Sequence, residues 1–402
     1  MMYLKVKNLF EKELDIASEI SAIISPFTYN NLLNKDNLYK TFNIENITLK
    51  DYINNILKTF KNIKTDNIEL YHSIPNHKKK DYLSQIKNEV KRIIRETKES
   101  KYYKSYKDQQ FLFKVLSDYQ IDSKALNAYM LLENNQSLKT NLTGFKNNVS
   151  VEYTRTDSTT GRLTSRSQAN ILTLPKKYRN IFKSSFQQGK ILYIDFVSLE
   201  PRVMRKLGGF DCSGDIYEEI AESLEIDVDR SVIKQAVISA VYGSSKNALY
   251  SKMSKDKVDQ LCDFIHDYLK VDLCLEMAQE SSEKDCRTNF WGRPLWNKGA
   301  SETNVILNNY VQSTAVDIAL SGFSKLLQEV DLKRIKPLFI IHDALMIDVE
   351  ESYINDIVNL SSSGYNCNIL GNFPISVEDL YGTKYWRNLG QIRRSFKKTI
   401  WS

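Results

Sequence analysis

The sequence predicts an α+β protein, and three observations carry that reading. From residue 161 onward, short apolar runs of strand character alternate with amphipathic helical patterns, whereas the stretch before it reads as helix and loop. Two of the apolar runs carry an aspartate: Ile191–Phe196, with Asp195 near its end, and the hairpin pattern of residues 338–348, with Asp343 in its middle. A helix patterned over residues 229–242 lies between them.

The elements follow in order. Residues 1–75 alternate short helical patterns with Asn-rich breaks and present no chemistry. Residues 78–135 read as long helices; Lys78 to Lys107 is dense in Lys and Arg, with Tyr102, Tyr103 and Tyr106 interleaved. That texture fits a solvated helical face or a clamp whose cations neutralise nucleic-acid phosphates. Residues 136–160 are polar and read as a loop-rich connection. A strand over 191–196 is followed by helices over 215–224 and 229–242, polar helix through 246–284 and a longer helix within 302–330. The hairpin around His342-Asp343 and a last strand over 375–380 complete the pattern, and no internal repeat is visible.

With 402 residues, the chain can bury a sizeable core in two or three domains or one articulated body. Its formal charge of +7 is compatible with a polyanionic partner without being diagnostic of one. Five cysteines (Cys212, Cys262, Cys274, Cys286, Cys367) lack CxxC spacing, which argues against a disulfide framework and a zinc site and fits a reducing cytosol. The four histidines form no metal-binding pattern. The opening residues carry no apolar signal core, and no run approaches the ~20 apolar residues of a membrane helix. The expectation is a soluble, cytoplasmic protein without a membrane partner.

Chemistry concentrates at three places. Asp195 and Asp343 are charged residues flanked by apolar strand, awkward without a partner; a structural ion pair or a turn cap is the ordinary alternative. On neighbouring strand tips they can hold a pair of Mg²⁺ ions, because a hard cation takes carboxylate oxygen. Two such ions, about 3.5–4 Å apart, activate a hydroxyl and neutralise a triphosphate. On helix 229–242, Arg230, Lys234, Ile238 and Tyr242 recur every fourth residue and line one face, with two cations near one end. Such a pair suits β- and γ-phosphates, with Ile238 and Tyr242 placed for sugar and base, although a surface Arg/Lys pair over a core stripe reads the same way. Together these features point to nucleotidyl transfer.

The motifs resemble those of family A (DNA polymerase I-like) polymerases over roughly residues 150–389. Thr160-Gly161-Arg162-Leu163-Thr164-Ser165, then Asn170 and Pro175, resembles the family's "TGRLSS…N…P" segment. Asp195 to Arg202 resembles motif A, and Asp215-Ile216-Tyr217 the "DIH" after it. Arg230, Lys234, Tyr242 and Gly243 resemble motif B, and Phe290-Trp291-Gly292-Arg293 the "FGR" segment. Asn308 with Val311-Gln312 through Asp317 resembles "N…VQGTAAD", His342-Asp343 motif C, and Val377-Glu378 with Gly382 and Trp386 the terminal "VEVGxGxxW".

The resemblance implies a right-hand fold with an antiparallel-sheet palm, helical fingers and a helical thumb. It implies a thumb-like region over 76–150, palm over 151–228 and 301–402, and fingers over 229–300, with 1–75 as an appendage of unknown role. Asp195 and Asp343 would be catalytic ligands of two Mg²⁺ ions. Arg230 and Lys234 would bind the incoming deoxynucleoside triphosphate, with Ile238 on the same face. Tyr242 would lie beside the templating base, and Glu200 would block a ribose 2′ hydroxyl. Arg162, Asn170, Gln312 and His342 would contact primed DNA template. Ile238 stands where the family has an aromatic residue, Ala344 where it has Glu after the motif C Asp, and Pro201 where it has an aliphatic residue. Nothing in 1–150 matches a 3′–5′ exonuclease motif, so the expectation is a compact polymerase without proofreading, of a kind suited to a phage or mobile element. It would work as a monomer; primase, helicase or clamp partners stay open. The basic tail from Gly390 to Ser402, with Phe396 and Trp401, reads as an extra contact or a frayed terminus.

Two other readings stay open at this point. Motif B also resembles that of single-subunit phage RNA polymerases, or a primer-making enzyme, although Glu200 argues against both. A catalytically silent nucleic-acid-binding protein on a polymerase scaffold is the other, although binding alone has no need for metal ligands.

Overall fold

The computed structural model describes residues 101–387, apart from 148–150, 152, 156–157, 166–168, 213, 225–227, 284–285 and 296–301. The chain divides into two compact units, Met1–Lys104 and Ser105–Ser402. The sequence expectations for residues 1–100, including most of the basic clamp and the N-terminal appendage, and for the tail beyond 387 lie outside the described residues.

The larger unit is an α+β body around a five-stranded antiparallel sheet. Its strands are β1 (Gly189–Phe196), β2 (Ile335–Ile341), β3 (Ala344–Glu350), β4 (Ile375–Asp379) and β5 (Lys384–Arg387), in the order β5-β4-β1-β3-β2. β1 sits in the middle, so it is covered on both faces and reads as a near-continuous apolar run. Strand alternation then sorts its residues. Leu192, Ile194 and Phe196 join Leu345, Ile347 and Val349 in the larger core; Ile191 and Tyr193 join Phe339, Ile341 and Met346 in the smaller one. Asp195 falls on the same face as Tyr193.

Helices cover the larger core: α1 (Lys101–Lys114), α2 (Ser123–Leu132), α3 (Gln136–Gly144), α4 (Leu199–Leu207), α5 (Ile216–Ser223), α6 (Arg230–Tyr242), α7 (Lys255–Tyr268), α8 (Val271–Glu280), α9 (Thr303–Gln328) and α10 (Ile354–Ser362) supply the framework, with α2 and α3 serving the smaller core instead. α9 is buried around most of its circumference, as expected of a helix that is apolar on all sides. Gly322 lets it approach the sheet: a Cβ there would collide with the rings of Phe196 and Tyr365. On the smaller core, Phe182 meets Tyr119 edge-on at 5.5 Å and Phe145 edge-on at 5.4 Å.

Local chemistry sets the boundaries. Asp215 caps α5 by accepting the Tyr217 N–H, and α6 stops at Gly243, whose φ of 67° is a left-handed C-cap. The expected 246–284 helix is instead a short helix over Asn247–Tyr250 followed by α7 and α8, the last two broken where Lys270 takes a φ of 55°. The loop-rich reading of 136–160 misses α3, which Asn135 caps. The strand over 375–380 is not the last, because β5 follows and pairs with it. No helix among the described residues is long and apolar enough to cross a membrane. Cys212, Cys262, Cys274 and Cys367 are buried free thiols.

Candidate active site

Strand pairing brings the two aspartates together. The β2–β3 hairpin turns at His342-Asp343, and its register sets Ala344 directly opposite Asp195. The Phe196 N–H donates to the Asp343 carbonyl across 3.2 Å, which closes the ladder at the strand tips. Both aspartates line one cavity of about 610 Å³ together with Glu200, Arg230, Lys234 and Tyr242. Burial pushes the Asp195 carboxyl up to about 8, with the charges of Asp343 and Glu378 adding to it and Lys176 and Lys234 pulling back. Burial also raises Asp343, with Glu200 adding to it. The protons of this pair therefore leave above the ordinary carboxylate range.

These two carboxylates have the donor chemistry a divalent cation needs. They are oxygen ligands in a half-enclosed site, and neither makes a side-chain ion pair with another described residue. Among the described residues no group of three or more His, Cys, Asp or Glu has metal-ligating geometry. Ala344, opposite Asp195, adds no third carboxylate. A cation held here would complete its shell with water and substrate oxygen, as Mg²⁺ commonly does.

The predicted face of α6 borders the same cavity. Val232, Ile233 and Ala236 are buried away from the cavity, whereas Arg230, Lys234, Ile238 and Tyr242 line it together with the buried Val237 and Val241. Arg230 is held: its Nε lies 2.9 Å from Asp215 Oδ2 and its guanidinium stacks 4.5 Å from the Tyr217 ring centroid. Lys234 is exposed and Ile238 is 41% exposed. The sequence reading gave Asp215 no part in the site, yet it couples the α5 cap to Arg230.

Glu200 is the junction of three segments. Arg162 donates to its Oε1 across 2.7 Å and the Tyr242 hydroxyl to its Oε2 across 2.5 Å. Burial, and then the Glu200 charge, raise the Tyr242 hydroxyl well above its ordinary range. Glu200 reaches this place because β1 turns sharply into α4 through Ser198, at φ 51°. Two residues on, Arg202 is fully buried and donates to the carbonyls of Val197, Cys212 and Gly214, which pins that turn to the loop before α5. The motif contained Arg202, but nothing local in the sequence gave it this role.

Of the four residues expected at primed DNA, three come together. Arg162, Gln312 and His342 line a small recess that also touches Glu200 and Asp343. With its amide oriented to satisfy both neighbours, Gln312 donates to Thr160 Oγ1 at 2.9 Å and accepts from Arg162 at 3.1 Å. His342 is exposed at a φ of 58°, and burial and Arg162 lower its imidazole below the usual range. Asn170 is not among the residues lining either space: its side chain accepts from the Leu172 N–H and caps a turn, while its backbone is held by Asn141.

The family model of DNA polymerase family A matches residues 48–387, which reaches well before the first motif at Thr160. A search of curated proteins finds no match. Among solved structures, the chain is similar to the POL domain of Pol1 from M. smegmatis in complex with DNA primer-template and dNTP, at 17% identity and a TM-score of 0.48. The alignment covers 66% of this chain and 56% of that one, so the chain spans little more than half of that structure's length.

Proposed function

The chain belongs to DNA polymerase family A, and from that premise we propose that it is a template-directed DNA polymerase that adds deoxynucleotides to a primer 3′ end. The observation that carries the reading is the convergence of Asp195 and Asp343 on a cavity that Arg230 and Lys234 also line. Asp195 and Asp343 would hold two Mg²⁺ ions, whose chemistry when bound would be to make the primer hydroxyl more acidic and to offset charge on the triphosphate. Arg230, preset by Asp215, and Lys234 take the triphosphate oxygens. Ile238 and Tyr242 border the nucleotide, and Glu200 occupies the space a ribose 2′ hydroxyl would need, so deoxynucleotides are favoured. Arg162, Gln312 and His342 meet the primed template; Asn170 acts on it through the turn it caps.

In this reading the sheet and α9 form the palm, α6 to α8 the fingers, and residues 76–150 the thumb. The protein acts in the cytoplasm, as a monomer and without proofreading. Primer extension on a defined DNA template with Mg²⁺, comparing dNTPs with NTPs, tests the proposal. Wild type extends with dNTPs, and Asp343→Ala binds primed DNA but loses extension. Preferred use of NTPs would replace the reading with an RNA or primer-synthesising enzyme, and binding without extension would replace it with a silent scaffold.

A further inference from the structure

The middle of α9 carries Asp317, a carboxylate with 0% exposure in an otherwise apolar stretch. Burying a charge there is costly unless every oxygen is matched. Each one is. Oδ1 accepts from Arg155 Nη2 at 2.5 Å and from Gln109 Nε2 at 3.3 Å. Oδ2 accepts from Asn289 Nδ2 at 2.6 Å and lies 3.4 Å from Arg293 Nε. Gln109 also accepts from Arg155, so the cluster closes on itself. Burial works against ionisation of Asp317, but Arg155 and Arg293 outweigh it and hold the carboxyl below its ordinary range.

The two arginines have a second attachment. Arg293 donates to the Thr160 carbonyl, and Arg155 Nε donates to the next carbonyl, that of Gly161, at 3.2 Å. Gly161 has a φ of 66°, and a Cβ on it would run into the Arg293 guanidinium. The residue after it is Arg162, whose guanidinium bonds Glu200. One turn and a half of helix before Asp317, Gln312 braces the same segment at Thr160 and Arg162.

We propose that Asp317 is a positioning residue for substrate selection: through Arg155 and Arg293 it clamps the Thr160-Gly161 turn so that Arg162 is delivered to Glu200. The inference rests on the polymerase reading, in which Glu200 discriminates against ribonucleotides. Glu200 is otherwise held only by Tyr242 among its described side-chain contacts, so a loose Arg162 leaves the carboxylate free to swing from the sugar.

The test is single-nucleotide primer extension with dNTP and NTP, with melting measured in parallel, for wild type, Asp317→Asn, Arg162→Ala and the double variant. Asp348→Asn is the control, since Asp348 is another buried carboxylate but bonds Ser184 and Ser185 away from the cavity. Asp317→Asn is expected to lower the dNTP-over-NTP preference in kcat/KM about tenfold, the scale of one charged hydrogen bond. It should add nothing further in the Arg162→Ala background, and Asp348→Asn should melt lower with its preference intact. If Asp317→Asn does not fold, Gly161→Ala disturbs the same clamp from the turn and should reduce the preference likewise. A preference unchanged in the folded clamp variant, or an effect that adds fully to that of Arg162→Ala, overturns the proposal. Wild type that does not extend at all would instead remove the polymerase reading on which it stands.

Discussion

The Tyr242 hydroxyl donates to Glu200 across 2.5 Å and ties the C-terminal end of α6 to the first turn of α4. The two residues are 42 positions apart in sequence, and both line the cavity that holds the aspartates. Tyr242→Phe removes that tie and leaves Arg162 as the partner of Glu200. A hydrogen bond to a charged group contributes about 1.5–3 kcal/mol. The dNTP-over-NTP preference should therefore fall about tenfold in Tyr242→Phe and further in Glu200→Ala, measured by single-nucleotide extension. An unchanged preference in Glu200→Ala would remove that residue from sugar discrimination.

The buried pair Asp195–Asp343 makes stability depend on pH in the direction opposite to a salt-bridged carboxylate. Asp195 is raised from 3.8 to about 8, so between those values the folded state binds more protons than the unfolded chain. Stability of the metal-free protein should decline as pH rises through that window. Asp195→Asn should flatten the decline, and saturating Mg²⁺ should reverse it, because a bound cation stabilises the ionised pair. Melting curves at pH 5, 7 and 9 with and without Mg²⁺ check this; a metal-free profile that rises with pH would contradict it.

Asp215 has two separable duties. Asparagine caps helices about as well as aspartate, so Asp215→Asn should leave stability within about 0.5 kcal/mol of wild type. It removes the charge that holds Arg230, and KM for dNTP should rise several-fold while kcat changes less. Asp215→Ala should show the same KM effect and lose about 1 kcal/mol of stability as well. Equal KM values for wild type and Asp215→Asn would mean that Arg230 needs no presetting.

His342 occupies a left-handed conformation that costs a side-chain-bearing residue about 1–2 kcal/mol. His342→Gly relieves this strain, partly offset by the greater freedom of glycine in the unfolded chain, so stability should hold or rise by up to about 1 kcal/mol. Binding of primed DNA, followed by fluorescence anisotropy, should weaken several-fold. A destabilised variant with undiminished binding would assign His342 to packing.

Much of the site was legible in the sequence because local rules encode it. A charge within an apolar run marks a strand tip, which located Asp195 and Asp343, and a four-residue recurrence marks a helix face, which located Arg230, Lys234, Ile238 and Tyr242. The motif order supplied the family, and the family model agrees. Asn170 shows the limit: its motif position was clear, but its side chain is spent on a turn.

By itself, then, the sequence determined the family, the α+β class, the paired aspartates and the cationic helix face, since each follows from residues close together in the chain or in a fixed order. Tertiary structure alone decided that Ala344 lies opposite Asp195, that Glu200 is shared by Arg162 and Tyr242, that Asp215 holds Arg230, and that Asp317 grips two arginines. The physical reason is range. Periodicity records which way a side chain faces, but its partner is set by strand register and helix packing between segments tens to hundreds of residues apart, where burial then forces each charge to find its match.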